Sequence, residues 1–322
     1  MHRSEYDRRR SPTPPATGLP PVGTPLGPWE LELSAAANDR YWAGAGVDHP
    51  ARHAGVLYPP MLANLMIVAL QRRTDEPLLH LHQQVRTWGV ATAPGLVRLT
   101  GEVVRGFAWR GREALEVRAE VSGGDGARLW TGTATFCTAR RAARASGART
   151  GPSPPPDTGA APGPSVGPGP GAGPGVVVRR RSLRLDLDLL RTYSRRGNFH
   201  SEPELAARLG YPAPVAQGMQ VAGPAFALLL EAWGEALLTD TQVEVWFRAP
   251  VLAGQTVTAT ARFGARPDGG AVRGSAGDKL GAVDDAAPAD DATFVVRVDG
   301  DDETSTPAVT GTARRRPGVG AS

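Results

Sequence analysis

One stretch near the middle of the chain is unsuited to a packed core, and it limits what the rest can fold into. Residues 140–176 include GPSPPPDTGAAPGPSVGPGPGAGPG, in which Pro and Gly interrupt any helical or strand period. We interpret this stretch as a linker. It divides the 322-residue chain into two folded portions, residues 28–139 and 177–316, each near the common size of a domain.

Three further segments have a similar composition. The composition of residues 1–27 predicts a disordered tail. Residues 264–291 are predicted to form a long polar hairpin loop inserted in the second portion, and residues 317–322 are predicted to form a short tail. Basic clusters such as Arg179–Arg181 and Arg314–Arg316 stand near the ends of these segments, so we interpret them as solvated. Because aromatic residues are not interleaved with them, the net charge of +4 does not indicate a nucleic-acid partner.

The two portions repeat one order of elements. Each has a long apolar helix, YPPMLANLMIVALQRR in the first and VAQGMQVAGPAFALLLEAWG in the second, followed by alternating strands. Pro59 and Gly95 are 36 residues apart, as are Gly218 and Gly254, so the repeat is offset by 159. We expect the first two strands after each helix to be joined by a turn at Gly95 or near Gly254. The pattern predicts an α+β fold in which antiparallel sheet wraps a buried helix, twice.

The sequence contains no clear set of ligands for a metal or a cofactor. The single cysteine, Cys137, excludes a disulfide within the chain. His80 and His82 alternate on a strand, which predicts that they share one face, but a third metal ligand is not apparent. We therefore expect no metal and no cofactor. No apolar run predicts a signal peptide or a membrane span, and this favours a cytoplasmic protein without a membrane partner.

The segment HSEPELAARLGYPAPVAQGMQ, followed by VEVWFRAPVLAGQTV, resembles the MaoC-like hydratases and dehydratases, which include the (R)-specific enoyl-CoA hydratases. The first portion, with VLYPPMLANL and LHLHQQVRTWGVATAPGLV, is similar to the non-catalytic half of two-hotdog members. The resemblance implies a double hotdog fold. It also implies reversible hydration of an enoyl or 3-hydroxyacyl thioester, carried by coenzyme A or an acyl carrier protein, in fatty acid or polyketide metabolism.

The resemblance also implies site residues, through the family hallmark D-x-N-P-x-H and a Gln-Gly entry to the hotdog helix. His200 takes the place of the catalytic histidine, and Gly218 that of the glycine whose N–H binds the thioester oxygen. A histidine suits a group that acts first as base and then as acid, and an N–H at a helix N-terminus suits a developing oxyanion. Asn198 and Gln217 are candidate positioning groups, and Arg195 is a candidate to meet the phosphates of the carrier.

The hallmark aspartate is missing from this sequence. With His200 held fixed, Arg195 falls on its position. Glu202, Glu204 and Asp48 are candidate replacements, although glutamates also suit a helix start and Asp48 suits a solvated loop. If none replaces the aspartate, the alternative function is a catalytically impaired hotdog that binds acyl thioesters or serves as a partner subunit.

The sequence is also compatible with thioesterase chemistry and with more than one oligomeric state. A hotdog thioesterase would need a carboxylate on the long helix, and Glu231 is the candidate, although it lies more than three turns along the helix. Two hotdog units in one chain can pair with each other, so a monomer is consistent with the sequence, and a homodimer formed through sheet edges is as well.

Overall fold

The structure is a computed structural model that describes residues 18–139, 176–194, 196–264, 289–301 and 305–315. Almost all of the predicted linker at 140–176, most of the predicted loop at 264–291 and the tail at 317–322 lie outside the described residues, as does Arg195. The domain boundaries that depend on those segments stay predictions.

The first half contains five strands and one long helix, with two shorter helices before it. Its elements are β1 (Trp29–Leu33), α1 (Ala35–Gly44), α2 (Pro50–His53), α3 (Pro59–Gln71), β2 (Leu78–Thr87), β3 (Gly95–Trp109), β4 (Arg112–Gly123) and β5 (Arg128–Thr138). The long helix α3 begins with two prolines, which suit a first helical turn because its N–H groups have no partner within the helix.

The second half repeats this order. Its elements are β6 (Val177–Leu185), α4 (Leu187–Tyr193), α5 (Pro203–Arg208), α6 (Gly218–Val221), α7 (Gly223–Trp233), α8 (Ala236–Thr239), β7 (Thr241–Phe247), β8 (Gln255–Gly264), β9 (Asp291–Val298) and β10 (Val309–Arg315). The short helix α6 leads into α7 through Ala222, whose backbone is also helical, so the two together correspond to α3.

The ten strands of the described residues form one antiparallel sheet in the order β1-β3-β4-β5-β2-β7-β10-β9-β8-β6. The order is symmetric about its centre, since each half runs from the strand before its long helix to the strand that follows that helix. The central β2–β7 pair, with Val85 opposite Val243, joins the halves. The sheet is therefore continuous across the repeat.

The long helices and the inner face of the sheet form the core. Met61, Leu65 and Met66 of α3 are almost completely enclosed. Nine of the eleven residues of α7 are buried, and one apolar cluster includes residues of both halves. Helices that are apolar on nearly every side are stable only when covered on every side. This is the double hotdog arrangement predicted from the sequence, and the α+β fold class is confirmed.

The repeat offset also appears in the structure. α3 begins at Pro59 and α6 begins at Gly218, 159 residues later. Just before each long helix, one residue pairs with the chain just before the third strand of its half. These bridges are Val56–Thr92 and Val215–Leu252. Pro59 and Gly218 are thus equivalent positions, but only Gly218 has a backbone N–H.

Part of the predicted disordered tail is ordered. Leu26 is fully buried, and its N–H donates to the Gly101 carbonyl oxygen at 2.8 Å. The Gly23 N–H donates to the Val103 carbonyl oxygen, also at 2.8 Å. The reason is that β3 extends well beyond its pairing with β1, and residues 23–26 continue that edge. The prediction was wrong for residues 18–27, and residues 1–17 lie outside the described part.

The basic clusters also differ from the prediction. Arg179–Arg181 lie within β6, an edge strand that the sequence patterns did not predict, and Arg314 and Arg315 lie within β10. Alternate side chains of a strand point away from the core, so an edge strand accommodates arginines. The Arg314 guanidinium pairs with the Asp291 carboxylate at 2.6 Å. These clusters are part of the sheet.

The strand connections differ from the prediction in one respect. β4 and β5 form a hairpin, but β2 pairs with β5 and β7, whereas β3 pairs with β1 and β4. The turns expected at Gly95 and near Gly254 are therefore crossovers between strands that do not pair.

Among the helices of the described residues, none is long and apolar enough to cross a bilayer.

Candidate active site

A cavity of about 730 Å³ lies where the two halves meet. Asn198, His200, Gln217 and Gly218 of the second half line it. The first half contributes one face of α3, the start of β2 and the tip of the β3–β4 hairpin. The volume is in the usual range for a small-molecule site. The structure thus brings together four of the five predicted site residues, and the fifth, Arg195, lies outside the described residues.

The loop that holds His200 is organised by Asn198. The Asn198 side-chain oxygen accepts the His200 backbone N–H at 2.8 Å. The Asn198 carbonyl oxygen accepts the N–H groups of Ser201 and Glu202, which starts the turn into α5. Asn198 therefore positions the backbone of His200.

Phe199 fixes the same loop to the rest of the protein. Its side chain is buried in a small apolar cluster with Ala206 and Val215. The Val215 N–H donates to the Phe199 carbonyl oxygen at 3.3 Å. Because Val215 lies three residues before Gly218, this contact sets the position of the His200 loop relative to the start of α6.

The His200 ring is held through one nitrogen. Its Nδ1 lies 2.6 Å from the Val215 carbonyl oxygen, which can only accept, so Nδ1 carries the proton. Burial lowers the pKa of His200 to about 4, while the hydrogen bond to Val215 acts in the opposite direction. The ring is neutral at pH 7, and Nε2 has a free lone pair. Among the described residues Nε2 has no hydrogen-bond partner, and the half-buried His200 lines the cavity. His200 is therefore arranged as a base.

Gly218 is the first residue of α6, and its N–H has no acceptor among the described residues. A first-turn N–H is left free by the helix itself. A Cβ at this position would lie 2.8 Å from the Phe247 ring, so the packing requires glycine. Gly218 thus combines a close approach to an aromatic ring with an N–H that has no acceptor among the described residues, and the residue lines the cavity.

Ser194 connects two of the predicted site residues, and sequence reasoning did not identify it. Its Oγ accepts a hydrogen bond from Gln217 Nε2 at 3.0 Å and lies 3.2 Å from the Asn198 amide. Ser194 is buried at the end of α4. The sequence gives no signal for this contact, because Ser194 and Gln217 are 23 residues apart. Serine is also too common a residue to stand out by itself.

The carboxylates considered as substitutes for the missing aspartate do not line the cavity. Glu202 accepts the Gly197 N–H at 3.3 Å, Glu204 is exposed on α5, and Asp48 forms an exposed ion pair with His53. Glu231, the candidate for thioesterase chemistry, pairs with Arg181 at 2.7 Å and does not line the cavity either.

Acidic side chains of the first half do reach the cavity wall. These are Asp75 and Glu76, in the loop between α3 and β2. No carboxylate of the described residues shifts the pKa of His200, whose surroundings act through burial and the Val215 carbonyl alone. Within the described part of the chain, His200 therefore has no charged partner that affects its pKa.

His80 and His82 do not share a face of the sheet. A bulge between them places His80 opposite Phe136 and His82 opposite the adjacent Thr135, so the two rings lie on opposite faces. The His80 ring lies between the rings of Phe136 and Phe247 and lines the cavity, whereas His82 pairs with Glu244. The prediction of a shared face is wrong. No cluster of three His, Cys, Asp or Glu side chains suited to a metal occurs among the described residues.

No protein-family model and no curated protein matches the sequence. Solved structures do match, at low sequence identity. The peroxisomal multifunctional enzyme type 2 of Drosophila melanogaster is 18% identical, with a TM-score of 0.59 over 89% of this chain and 48% of its own, so the chain spans about half of that enzyme. A MaoC-like dehydratase of Phytophthora capsici is 14% identical, with a TM-score of 0.57 over 89% of this chain and 94% of its own.

A third similar structure, a Mycobacterium tuberculosis protein with a double hotdog fold, is 13% identical, with a TM-score of 0.55 over 89% of this chain and 92% of its own. At these identities the likeness shows the fold. The fold is a double hotdog, which this chain shares with these structures.

Proposed function

We propose that the protein hydrates trans-2-enoyl thioesters, or dehydrates the corresponding 3-hydroxyacyl thioesters, in fatty acid or polyketide metabolism in the cytoplasm. The observation that carries the proposal is that one cavity is lined both by His200, with a free Nε2, and by Gly218, with a free N–H. A base and an oxyanion donor on one cavity suit water addition next to a thioester carbonyl.

The reaction follows from these two groups. His200 Nε2 accepts a proton from water as the water oxygen bonds to C3 of the enoyl group. The electrons of the C2–C3 double bond move toward the thioester carbonyl, whose oxygen becomes an enolate that the Gly218 N–H stabilises. His200 then returns its proton to C2, which completes the 3-hydroxyacyl thioester. The Val215 carbonyl keeps the ring oriented through both steps.

A charged partner for His200 would normally help to hold the water and to stabilise the imidazolium. Since none acts on His200 among the described residues, the proposed reaction uses the histidine as its sole acid and base. General acid–base catalysis by one group typically contributes about 10²- to 10⁴-fold, so we expect turnover below that of an enzyme with the full hallmark.

The first half is proposed to shape the substrate site without performing chemistry. Its counterpart of Gly218 is Pro59, which lacks an N–H and cannot bind an oxyanion. Its residues nevertheless form one side of the cavity, through Ile67 and Val68 of α3 and Leu79 of β2. These apolar side chains suit an acyl chain.

The experiment is to supply the purified protein with crotonyl-CoA, a medium-chain trans-2-enoyl-CoA and the medium-chain enoyl group on an acyl carrier protein, and to follow the loss of enoyl absorbance. The proposal expects formation of a 3-hydroxyacyl product with at least one of these substrates. Absence of product with all three contradicts it.

The lack of a carboxylate on His200 favours a second candidate, a hotdog that binds acyl thioesters without converting them or serves as a partner subunit. This candidate expects saturable binding of the same thioesters with no product formed. A homodimer through the sheet edges is compatible with both candidates, because β1 and β6 end the sheet.

A further inference from the structure

Four arginines lie on the wall of the active-site cavity, and they come from both halves. Arg110 occupies the tip of the β3–β4 hairpin, and Arg112 follows it at the start of β4. Arg208 ends α5, and Arg248 directly follows β7. Arg112 is engaged, since its guanidinium donates to the carbonyl oxygens of Thr138 and Ala139. The other three are exposed.

Arg110, Arg208 and Arg248 form no ion pair among the described residues. By contrast, three exposed arginines of β3, β4 and β5 do have carboxylate partners. The pairs there are Arg105–Glu116, Arg118–Glu102 and Arg128–Glu120. The cavity mouth therefore gathers three exposed arginines that have no carboxylate partner among the described residues.

Arg110 and Arg248 are also close enough to repel one another. Partial burial lowers the pKa of Arg248, and the charge of Arg110 lowers it further. The cavity wall carries four arginines and two acidic residues, Asp75 and Glu76, so its net charge is positive. Like charges on separate elements are costly to hold together unless an anion binds between them.

We infer that Arg110, Arg208 and Arg248 bind the phosphate groups of the thioester carrier at the mouth of the cavity. A guanidinium presents a planar set of donors that matches phosphate oxygens. The Trp109 ring, whose centroid lies 4.9 Å from the Arg110 guanidinium carbon, lines the same wall and offers an aromatic face beside the charge. The inference rests on the proposed function, because a thioester that reaches His200 must leave its carrier at this mouth.

The three arginines come from both halves of the chain. Arg110 belongs to the half with Pro59 in the oxyanion position, whereas Arg208 and Arg248 belong to the half with His200. Carrier recognition would thus require both halves, even though the chemistry is assigned to one. The phosphates belong either to free coenzyme A or to the phosphopantetheine arm of a carrier protein, and the two sources share this chemistry.

The test is equilibrium binding of three probes, coenzyme A, 3′-dephospho-coenzyme A and pantetheine, to the full chain and to Arg110→Gln, Arg208→Gln and Arg248→Gln. Arg128→Gln is the matched control, because Arg128 begins β5 opposite Ser122, at the other end of the hairpin from Arg112. We expect each mouth variant to weaken coenzyme A binding about 5- to 20-fold, with pantetheine binding unchanged. We expect Arg128→Gln to bind as the wild type does.

Holo-acyl carrier protein is the second arm of the test. If the wild type binds it in preference to coenzyme A and the mouth variants weaken that binding, the phosphates belong to the carrier protein. Mouth variants that bind their preferred carrier within twofold of the wild type overturn the inference, and so does a wild type that binds neither carrier. These probes carry no enoyl group, so an inactive protein can still show binding. Conversely, enoyl turnover with a KM unaffected by the mouth variants would remove the inference and leave the proposed function intact.

Discussion

The Nδ1 atom of His200 donates its proton to the Val215 carbonyl oxygen, 2.6 Å away. This contact fixes which nitrogen of the ring is free. It also joins the loop before α5 to the segment that leads into Gly218. The base and the oxyanion donor of the proposed reaction are therefore coupled through three residues of backbone.

The first prediction concerns the pH dependence of turnover. Burial lowers the pKa of His200 to about 4, so its basic form is present above that pH and is lost as the pH falls through it. We expect kcat/KM for enoyl hydration to be level between pH 8 and about pH 5 and to fall about tenfold per pH unit below about pH 4. Initial rates measured across this range, with recovery at pH 7 as the stability control, check it. A fall centred near pH 6.5, the ordinary histidine value, would contradict the effect assigned to burial.

The second prediction separates the Gly218 N–H from the space around it. Gly218→Ala keeps the N–H but brings a Cβ to 2.8 Å from the Phe247 ring, so we expect a moderate loss of kcat. Gly218→Pro adds the same Cβ and replaces the amide hydrogen with the Cδ of the proline ring. We expect kcat to fall a further 10²- to 10³-fold, the usual effect of removing one oxyanion donor.

The equivalent position of the first half supplies the control for this comparison. Proline is already accommodated there as Pro59, so a proline at the first position of the helix is compatible with the fold. We expect Pro59→Ala, which restores an N–H in the first half, to leave kcat within a few-fold of the wild type. Equal kcat values for Gly218→Ala and Gly218→Pro would show that the N–H has no role.

The third prediction is a loss of stability in acid caused by His80. Burial, with a smaller contribution from nearby His82, lowers the pKa of His80 to about 3. Neither ring nitrogen completes a hydrogen bond among the described residues, although the Gln83 side chain and the His82 backbone lie near the ring. The unfolded chain therefore binds a proton that the folded chain excludes between about pH 6.5 and pH 3.

Because the unfolded chain binds this proton and the folded chain does not, stability is lost as the pH falls through this window, by about 1.4 kcal/mol per pH unit for a single histidine. His80→Phe suits the stacking between Phe136 and Phe247 and removes the titrating group. We expect its free energy of unfolding to fall less between pH 6.5 and pH 4.5 than that of the wild type, by about 2 kcal/mol or somewhat more. Urea denaturation at both pH values measures this, with His53→Gln at an exposed site as the control. An unchanged pH dependence in His80→Phe would rule out the buried neutral state.

Much of the fold could be predicted from local patterns. The apolar helices α3 and α7 and the alternating strands after them have strong periods, and the offset of 159 residues places Pro59 opposite Gly218. The edge strands β1 and β6 escaped prediction because their patterns are weak: β6 is rich in arginine and exposes much of its length. Pairing order could not be predicted, since β2 finds its partners in β5 and in the other half.

Residues of the candidate site could be predicted only where they lie close together in the sequence or where the family resemblance assigned them. His200, Asn198, Gln217 and Gly218 lie within about twenty residues of one another and do line one cavity. Ser194, the arginines of the mouth and the face given to His80 depend on tertiary contacts or on a bulge, which leave no local signal. The missing aspartate could be noticed from the sequence, but the absence of a carboxylate acting on His200 among the described residues required the structure.

The decisive experiment on His200 is hydration of a medium-chain trans-2-enoyl-CoA by the wild type beside His200→Ala, with His82→Ala on the opposite face of the sheet as the matched control. We expect turnover by the wild type and by His82→Ala, and a loss of at least about 100-fold in His200→Ala with the far-ultraviolet spectrum unchanged. Turnover in His200→Ala equal to that of the wild type would contradict the assignment of His200 as the acid and base.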